Sequence, residues 1–209
     1  MADRAGRRGS YAKGVAKREE ILDRALEVVA REGYRGASVK ELAEAVGLSQ
    51  AGLLHYFDSK EELFTEILRK RDEVDSERFG RMSGGDLDFP DMRRGYVEVV
   101  RHNADLPGLV QLFSRMSVDA TDPEHPAHRF FLVRGAKLRE TFRGAIRSAQ
   151  DEGRITSAVD AETLARIFQA VSDGMQVQWM LDPDVDMAVT VEALFTALAP
   201  TGNEPGSTA

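Results

Sequence analysis

The run Ser38–Lys60, SVKELAEAVGLSQAGLLHYFDSK, leaves the chain around it little freedom. Val39, Leu42, Ala43 and Val46 fall at i, i+3, i+4 and i+7, one face of a short helix. Ser38, with Glu41 three residues on, predicts a capping box at its start. Gly47 supplies the left-handed residue that closes it. Ser49 predicts the cap of a second helix over Gln50–Tyr56. On that helix Leu53 and Phe57 lie about 40° apart, the placement of a buried pair that packs on Leu42 and Val46. Ser59 and Glu62 repeat the capping pattern, and Leu63, Phe64, Ile67 and Leu68 form the apolar face of a longer third helix. Two short helices joined by a Gly-containing turn make a helix-turn-helix, whose second helix enters the DNA major groove.

The rest of the chain carries the same periodicity and no strand pattern, so the expected class is all-α with about nine helices. Residues 1–12 are Gly- and Arg-rich without periodicity, which predicts a disordered basic arm. A helix follows from Lys13 to Glu32, with Ile21, Leu22, Ala25, Leu26, Val28 and Val29 inward and Gly33 ending it. A helix-turn-helix domain with a connector helix is expected over residues 13–81, up to the breaker Ser83-Gly84-Gly85. A helical ligand-binding and dimerisation domain is expected over 82–199, and a disordered tail over 200–209. In the former, helices are expected over Asp91–Asn103, Leu106–Ala120, His128–Glu152, a stretch capped by Asp160 and reaching Leu181, and Val185–Leu198.

Composition narrows the chemistry. With no cysteine in 209 residues, disulfides, thiolate nucleophiles and Cys-bound metals are excluded. No apolar run approaches about 18 residues, so no membrane span is expected. The basic N-terminus has no apolar run behind it, so a cytosolic protein without a signal peptide is expected. The net charge of −7 is uneven. Residues 1–71 hold 14 Lys/Arg against 12 Asp/Glu, and the remainder 14 against 23. An acidic body with a basic end suits a protein that touches phosphate at that end only; a solvated tail on an acidic protein is the alternative.

On the second short helix Ala51 and His55 point away from the buried pair, flanked by Gln50, Gly52 and Leu54. Gln50 can read adenine, His55 can bond a base edge or phosphate, and Ala51 and Leu54 can touch thymine methyls. Gly52 permits close approach to the groove. Tyr56 leans toward the flank, where its hydroxyl reaches a phosphate. Lys60, and the backbone N–H groups behind Ser38 with Lys40 beside them, are phosphate clamps. The face holds no Arg or Lys, so bidentate guanine reading is not available from it. For Gln50 and His55 the alternative is ordinary solvated side chains.

In the second half, Phe113, Met116, Phe131, Phe168, Met175 and Trp179 form soft aromatic stripes, with His102 and Gln176 among the polar residues between them. They fit either a closed core or an apolar pocket with polar anchors for a small molecule. The last two helices are apolar on two sides. Ala170 and Gly174 permit close helix approach, and Val191, Leu194, Phe195 and Leu198 form a stripe that fits a second subunit or burial within one. His125-Pro-Ala-His128 lacks a third ligand for a metal, and no nucleophile motif or phosphate-binding loop appears, so neither cofactor nor metal is expected.

The run SVKELAEAVGLSQAGLLHYFDSKEELF, with the preceding REGYRGAS, resembles the DNA-binding segment of TetR-type transcriptional regulators over about residues 17–67. The segment DEGRI…DGMQVQWMLDPDVDM is similar to the regulatory domain of choline-responsive members. The resemblance implies a nine-helix homodimer, joined through the last two helices, that binds a near-palindromic operator and is released by a small-molecule effector. It carries DNA contact onto Ser38, Lys40, Gln50, Ala51, Gly52, Leu54, His55, Tyr56 and Lys60. Two positions depart from the common pattern: Gly52 where many members have Thr, and Leu54 where many have an aromatic residue. They move base reading toward methyl contacts and DNA shape. A helical adaptor that has lost DNA binding, and a metal-dependent enzyme, are the rival readings.

Overall fold

A computed structural model describes residues 3–79 and 87–199. Among them all regular structure is helical: α1 (Asp3–Gly36), α2 (Val39–Ala45), α3 (Gln50–Leu54), α4 (Lys60–Phe79), α5 (Phe89–Asn103), α6 (Pro107–Asp119), α7 (His128–Asp151), α8 (Ala161–Leu181) and α9 (Met187–Ala197). No helix of the described residues is long and apolar enough to cross a membrane. The expected break at Gly33 is present as a kink within α1, at φ 75°. Leu53 and Phe57 are buried as a pair, at 0% and 2% exposure.

The chain folds as two compact units. The first joins Met1–Val74 to Leu106–Phe131. Its core gathers Ile21, Ala25 and Val29 of α1, Leu42 of α2, Leu53 of α3, Leu63, Ile67 and Leu68 of α4, and Leu109 and Leu112 of α6. Here α6 lies so close on the end of α1 that a Cβ at Gly108 would stand 1.9 Å from the Val29 carbonyl oxygen. The buried Arg71 of α4 donates to the Leu109 carbonyl at 3.3 Å. The second unit joins Asp75–Asp105 to Leu132–Ala209. Its core comes from α5 (Met92, Tyr96, Val100), α7 (Phe142, Ile146), α8 (Leu164, Phe168) and α9 (Val191, Phe195).

Three expectations change. Helix α1 begins at Asp3, so the segment read as a disordered arm is helical from there on. That segment has no proline, and its Arg and Ala are good helix formers, so scattered glycines do not stop the helix. The reading helix ends at Leu54, two residues early, and His55 is its C-cap. Leu106–Phe131, expected within the 82–199 domain, belongs to the helix-turn-helix unit. Periodicity says that the face of α6 is buried but not against which core. The expected tail 200–209 lies outside the described residues.

Candidate nucleic-acid interface and regulatory core

Each element of the reading head is closed by the residues that announce it. The Ser38 hydroxyl accepts the Glu41 N–H at 3.3 Å, and the Ser38 N–H donates to the Glu41 carboxylate at 2.8 Å. The Ser38 N–H, with the Ser38 hydroxyl beside the same carboxylate, holds the Glu41 carboxyl below its ordinary range. Gly47, at φ 68°, closes α2, with Leu48 N–H returning to the Ala43 carbonyl at 2.8 Å. Ser49 caps α3 by accepting the Gly52 N–H at 3.0 Å. A Cβ at Gly52 would stand 3.2 Å from that hydroxyl, so the glycine leaves room for the cap itself. At α4 only half of the expected box forms. Ser59 accepts the Glu62 N–H at 3.0 Å, but the Glu62 carboxylate takes the N–H of Asp58 instead.

This frame presents Gln50, Ala51, Leu54 and His55 to solvent, with Gly52 half-buried. Tyr56 is half-buried against the core and meets His55 edge-on at 5.9 Å between ring centroids. Lys40 and Lys60 are exposed. Lys40 lies 4.0 Å from Glu44, and Lys60 Nζ stands 5.5 Å over the Phe64 ring. The face is polar at its ends, apolar in its middle and uncharged, with lysines only on its borders. Such a surface can hydrogen-bond base edges through Gln50 and His55 and meet methyl groups through Ala51 and Leu54.

Sequence reasoning missed Arg18, which it counted only among the basic residues of the N-terminus. The guanidinium is turned inward, 2.9 Å from the Glu62 carboxylate and 4.5 Å over the Phe57 ring. The available signal was a lone Arg opposite Glu62 and Glu66, too distant in sequence to pair by spacing.

The residues read as an effector pocket do not gather in one core. Phe113, Met116 and Phe131 belong to the core of the first unit, where Phe131 meets Phe113 and Phe130 at 5.3 and 5.1 Å. Phe168, Met175 and Trp179 belong to the core of the second. His102, half-buried, has its Nδ1 3.5 Å from the Asp105 carboxylate. In the second unit α8 carries a polar row inside an aromatic setting. The Tyr96 hydroxyl is 3.2 Å from the Phe168 carbonyl and bonds the Ser172 hydroxyl. Tyr96 meets Phe142 edge-on at 4.7 Å. Burial pushes the Asp173 carboxyl above its ordinary range, against the opposing charge of Arg134. Gln176 is 8% exposed, and its side-chain oxygen has no hydrogen-bond partner. Tyr96 and Ser172 were not anticipated as polar partners, because Tyr96 falls on an apolar stripe.

The stripe proposed for dimerisation on α9 is used within the subunit. Val191, Phe195 and Leu198 are buried in the second unit's own core, and Leu194 packs against it. Periodicity marks an apolar face without saying what covers it. An apolar stripe is left open on α8, where Ile167, Ala170, Val177 and Leu181 are exposed and the space beside Gly174 is empty. They recur at i, i+3, i+7, i+10 and i+14, one helix face. Leu181 is 82% exposed, and Val189 of α9 adds to the open surface. His125 and His128 are engaged locally: His125 Nδ1 accepts the Ala127 N–H, and His128 Nδ1 lies 2.8 Å from the Ala120 carbonyl.

Comparison with known proteins matches two separate segments of the chain. Residues 21–67 match the family described as bacterial regulatory proteins, tetR family, and residues 123–201 match the BetI-type transcriptional repressor, C-terminal. The HTH-type transcriptional repressor AcnR of Corynebacterium efficiens is 31% identical over 166 residues, covering 78% of this chain and 81% of that protein. KstR2 of Rhodococcus jostii, also described as an HTH-type transcriptional repressor, is 27% identical over 179 residues, covering 78% and 79%. Among solved structures, the SmeT–triclosan complex superposes with a TM-score of 0.67 at 19% identity, covering 90% of this chain and 93% of SmeT.

Proposed function

Because this chain belongs to the TetR family of DNA-binding transcriptional regulators, we propose that it is a repressor that binds a near-palindromic operator as a homodimer and is released by a small molecule. It is a regulator, not an enzyme. The carrying observation is the solvent face of α3, where Gln50, Ala51, Leu54 and His55 stand out over the buried Leu53 and Phe57. Gln50 and His55 serve as the base-reading donors and acceptors, Ala51 and Leu54 as methyl contacts, and Gly52 and Ser38 as parts of the caps beneath them. Lys40, Tyr56 and Lys60 grip phosphate.

The open stripe on α8, with Ala170 and Gly174 at its centre, is the surface assigned to the second subunit. A two-fold dimer places its reading heads on half-sites about one helical turn apart, or a multiple of that. The effector is assigned to the second unit, with Gln176 as a polar anchor among Phe168, Met175 and Trp179 and His102 on α5. A buried acceptor without a donor costs about 1–3 kcal/mol, and a ligand that donates to it recovers that cost. SmeT, which shares the fold, is described in complex with triclosan.

The test is binding to the DNA upstream of the protein's own gene against random DNA, across a salt series. A preference of about 10³-fold or more supports the reading, and equal affinity for both refutes it. Gln50→Ala should relax preference at one base position by about 1–3 kcal/mol. Lys60→Ala should weaken all sequences alike and lower the salt slope by about 0.9.

A further inference from the structure

We infer that Arg18 is a positioning residue for operator recognition: one guanidinium on α1 fixes the exit of the reading helix and thereby the direction of its base-reading side chains. Helix α3 has five residues, too few to hold an orientation by its own hydrogen bonds. Its buried anchors are Leu53 and Phe57, and Phe57 lies beyond its end, in the bend that leads to α4. Arg18 meets that bend at three places. Its Nε lies 3.5 Å from the Tyr56 carbonyl. Its guanidinium carbon stands 4.5 Å over the Phe57 ring. Its Nη2 donates to Glu62 Oε1 at 2.9 Å, while the other oxygen of Glu62 accepts the Asp58 N–H. A further contact, 3.7 Å to Glu66, ties the same group to the next turn of α4.

The chemistry requires arginine. A planar fork can bond a carbonyl and a carboxylate in different directions while its face lies on an aromatic ring, and an ammonium group cannot. This arrangement also explains why Glu62 leaves the Ser59 cap half-formed. Its carboxylate is shared between the Asp58 N–H and Arg18, which joins the bend to α1. Arg18 sits in the basic N-terminal stretch, where a phosphate contact would be the ordinary expectation. Its charge, however, is met by two carboxylates and a ring within the same unit.

The test compares Arg18→Met, which keeps the apolar stem, and Arg18→Lys with the parent, on the upstream operator DNA and on random DNA across a salt series. Arg18→Met should lose about 10- to 100-fold in operator affinity, the worth of one or two charge-assisted bonds. Affinity for random DNA and the salt slope should stay as in the parent, and Arg18→Lys should recover part of the loss. Amide exchange at Leu53–Asp58 should quicken in Arg18→Met while α6 remains protected. Glu62→Gln should move the same readouts in the same direction. A salt slope lower by about 0.9 would make Arg18 a phosphate contact, and an equal loss on both DNAs would make it a general stability residue. Either outcome, or parent-like preference in Arg18→Met, overturns the inference.

Discussion

Replacing Gly108 with Ala isolates one close approach in the DNA-binding unit. The added Cβ would stand 1.9 Å from the Val29 carbonyl oxygen and 2.7 Å from the Gly33 Cα. A carbon and a carbonyl oxygen rest at about 3.3 Å or more, so α6 must retreat by about 1.4 Å from the end of α1. Both opposing atoms are backbone, so no side chain can swing aside. Overpacking of this kind costs about 1–3 kcal/mol, and occasionally more. Alanine's better helix propensity offsets at most about 1 kcal/mol, and less at Gly108, the second residue of its helix. The expected net loss is about 2 kcal/mol, a fall of about 4–8 °C in Tm for a chain of this size. Gly144→Ala is the matched control, because Gly144 lies exposed within α7 with nothing within 4 Å of its Cβ. There the same exchange should stabilise by about 0.5–1 kcal/mol. Both variants change the unfolded chain alike, so their difference reports the close approach. The assay is urea unfolding followed by circular dichroism at one fixed protein concentration. If Gly108→Ala proved as stable as Gly144→Ala, the packing of α6 on α1 described above would be wrong.

Two further outcomes follow from the second unit. Burial raises the folded-state pKa of Asp173, so the folded chain keeps a proton that the unfolded chain releases, and stability is lost as pH climbs from the ordinary value of 3.8 through the raised one. Asp173→Asn should flatten that decline in urea midpoints measured across the acid-to-neutral range; an unchanged slope would show that the carboxyl is not desolvated. Val177→Arg, on the open face of α8, should convert a dimer to a folded monomer by light scattering. Val191→Arg, at 0% exposure in the subunit's own core, should unfold the chain instead. A Val177→Arg protein that stayed dimeric would exclude the α8 stripe as the contact.

What was legible in the sequence is local, and what was not depends on partners distant in the chain. Ser38, Gly47 and Ser49 act on groups within five residues of themselves, so their roles follow from spacing alone. Leu53 and Phe57 follow from the helical period. The same period failed at α6 and α9, because an apolar stripe records that a face is covered and not by what. Leu109 and Leu112 complete the first core, although the Ser83-Gly84-Gly85 breaker lies between them and the reading head. Val191 and Phe195 fit either a second subunit or burial within one by their spacing, and they lie in the subunit's own core. The effector set divides for the same reason, since Phe113 and Phe168 share a residue type but not a core. Arg18 could not be singled out, because its role is defined by carboxylates more than 40 residues away; Gln176 was expected as a polar anchor, but not that its side-chain oxygen is buried without a donor.

The reading face itself points to how affinity and selectivity divide. With no cation on α3, its solvent side chains add nothing to the salt-dependent term, which the proposed reading gives to Lys40, Lys60 and other flanking groups. In the proposed reading, selectivity rests on two hydrogen-bonding side chains and two methyl contacts, each worth about 1–3 kcal/mol only if its geometry is held. Weak individual contacts make orientation the controlling variable, since a tilt of the helix moves all of them out of register together. The short α3 is held by Leu53, the Ser49 cap, the Phe57 anchor and the Arg18 fork, all of them properties of the folded unit. An effector that alters these contacts need not touch the reading face to abolish operator preference. If the proposed release by a small molecule works in this way, it leaves the proposed lysine grip in place, and the effector-bound protein should keep salt-sensitive affinity for DNA of any sequence.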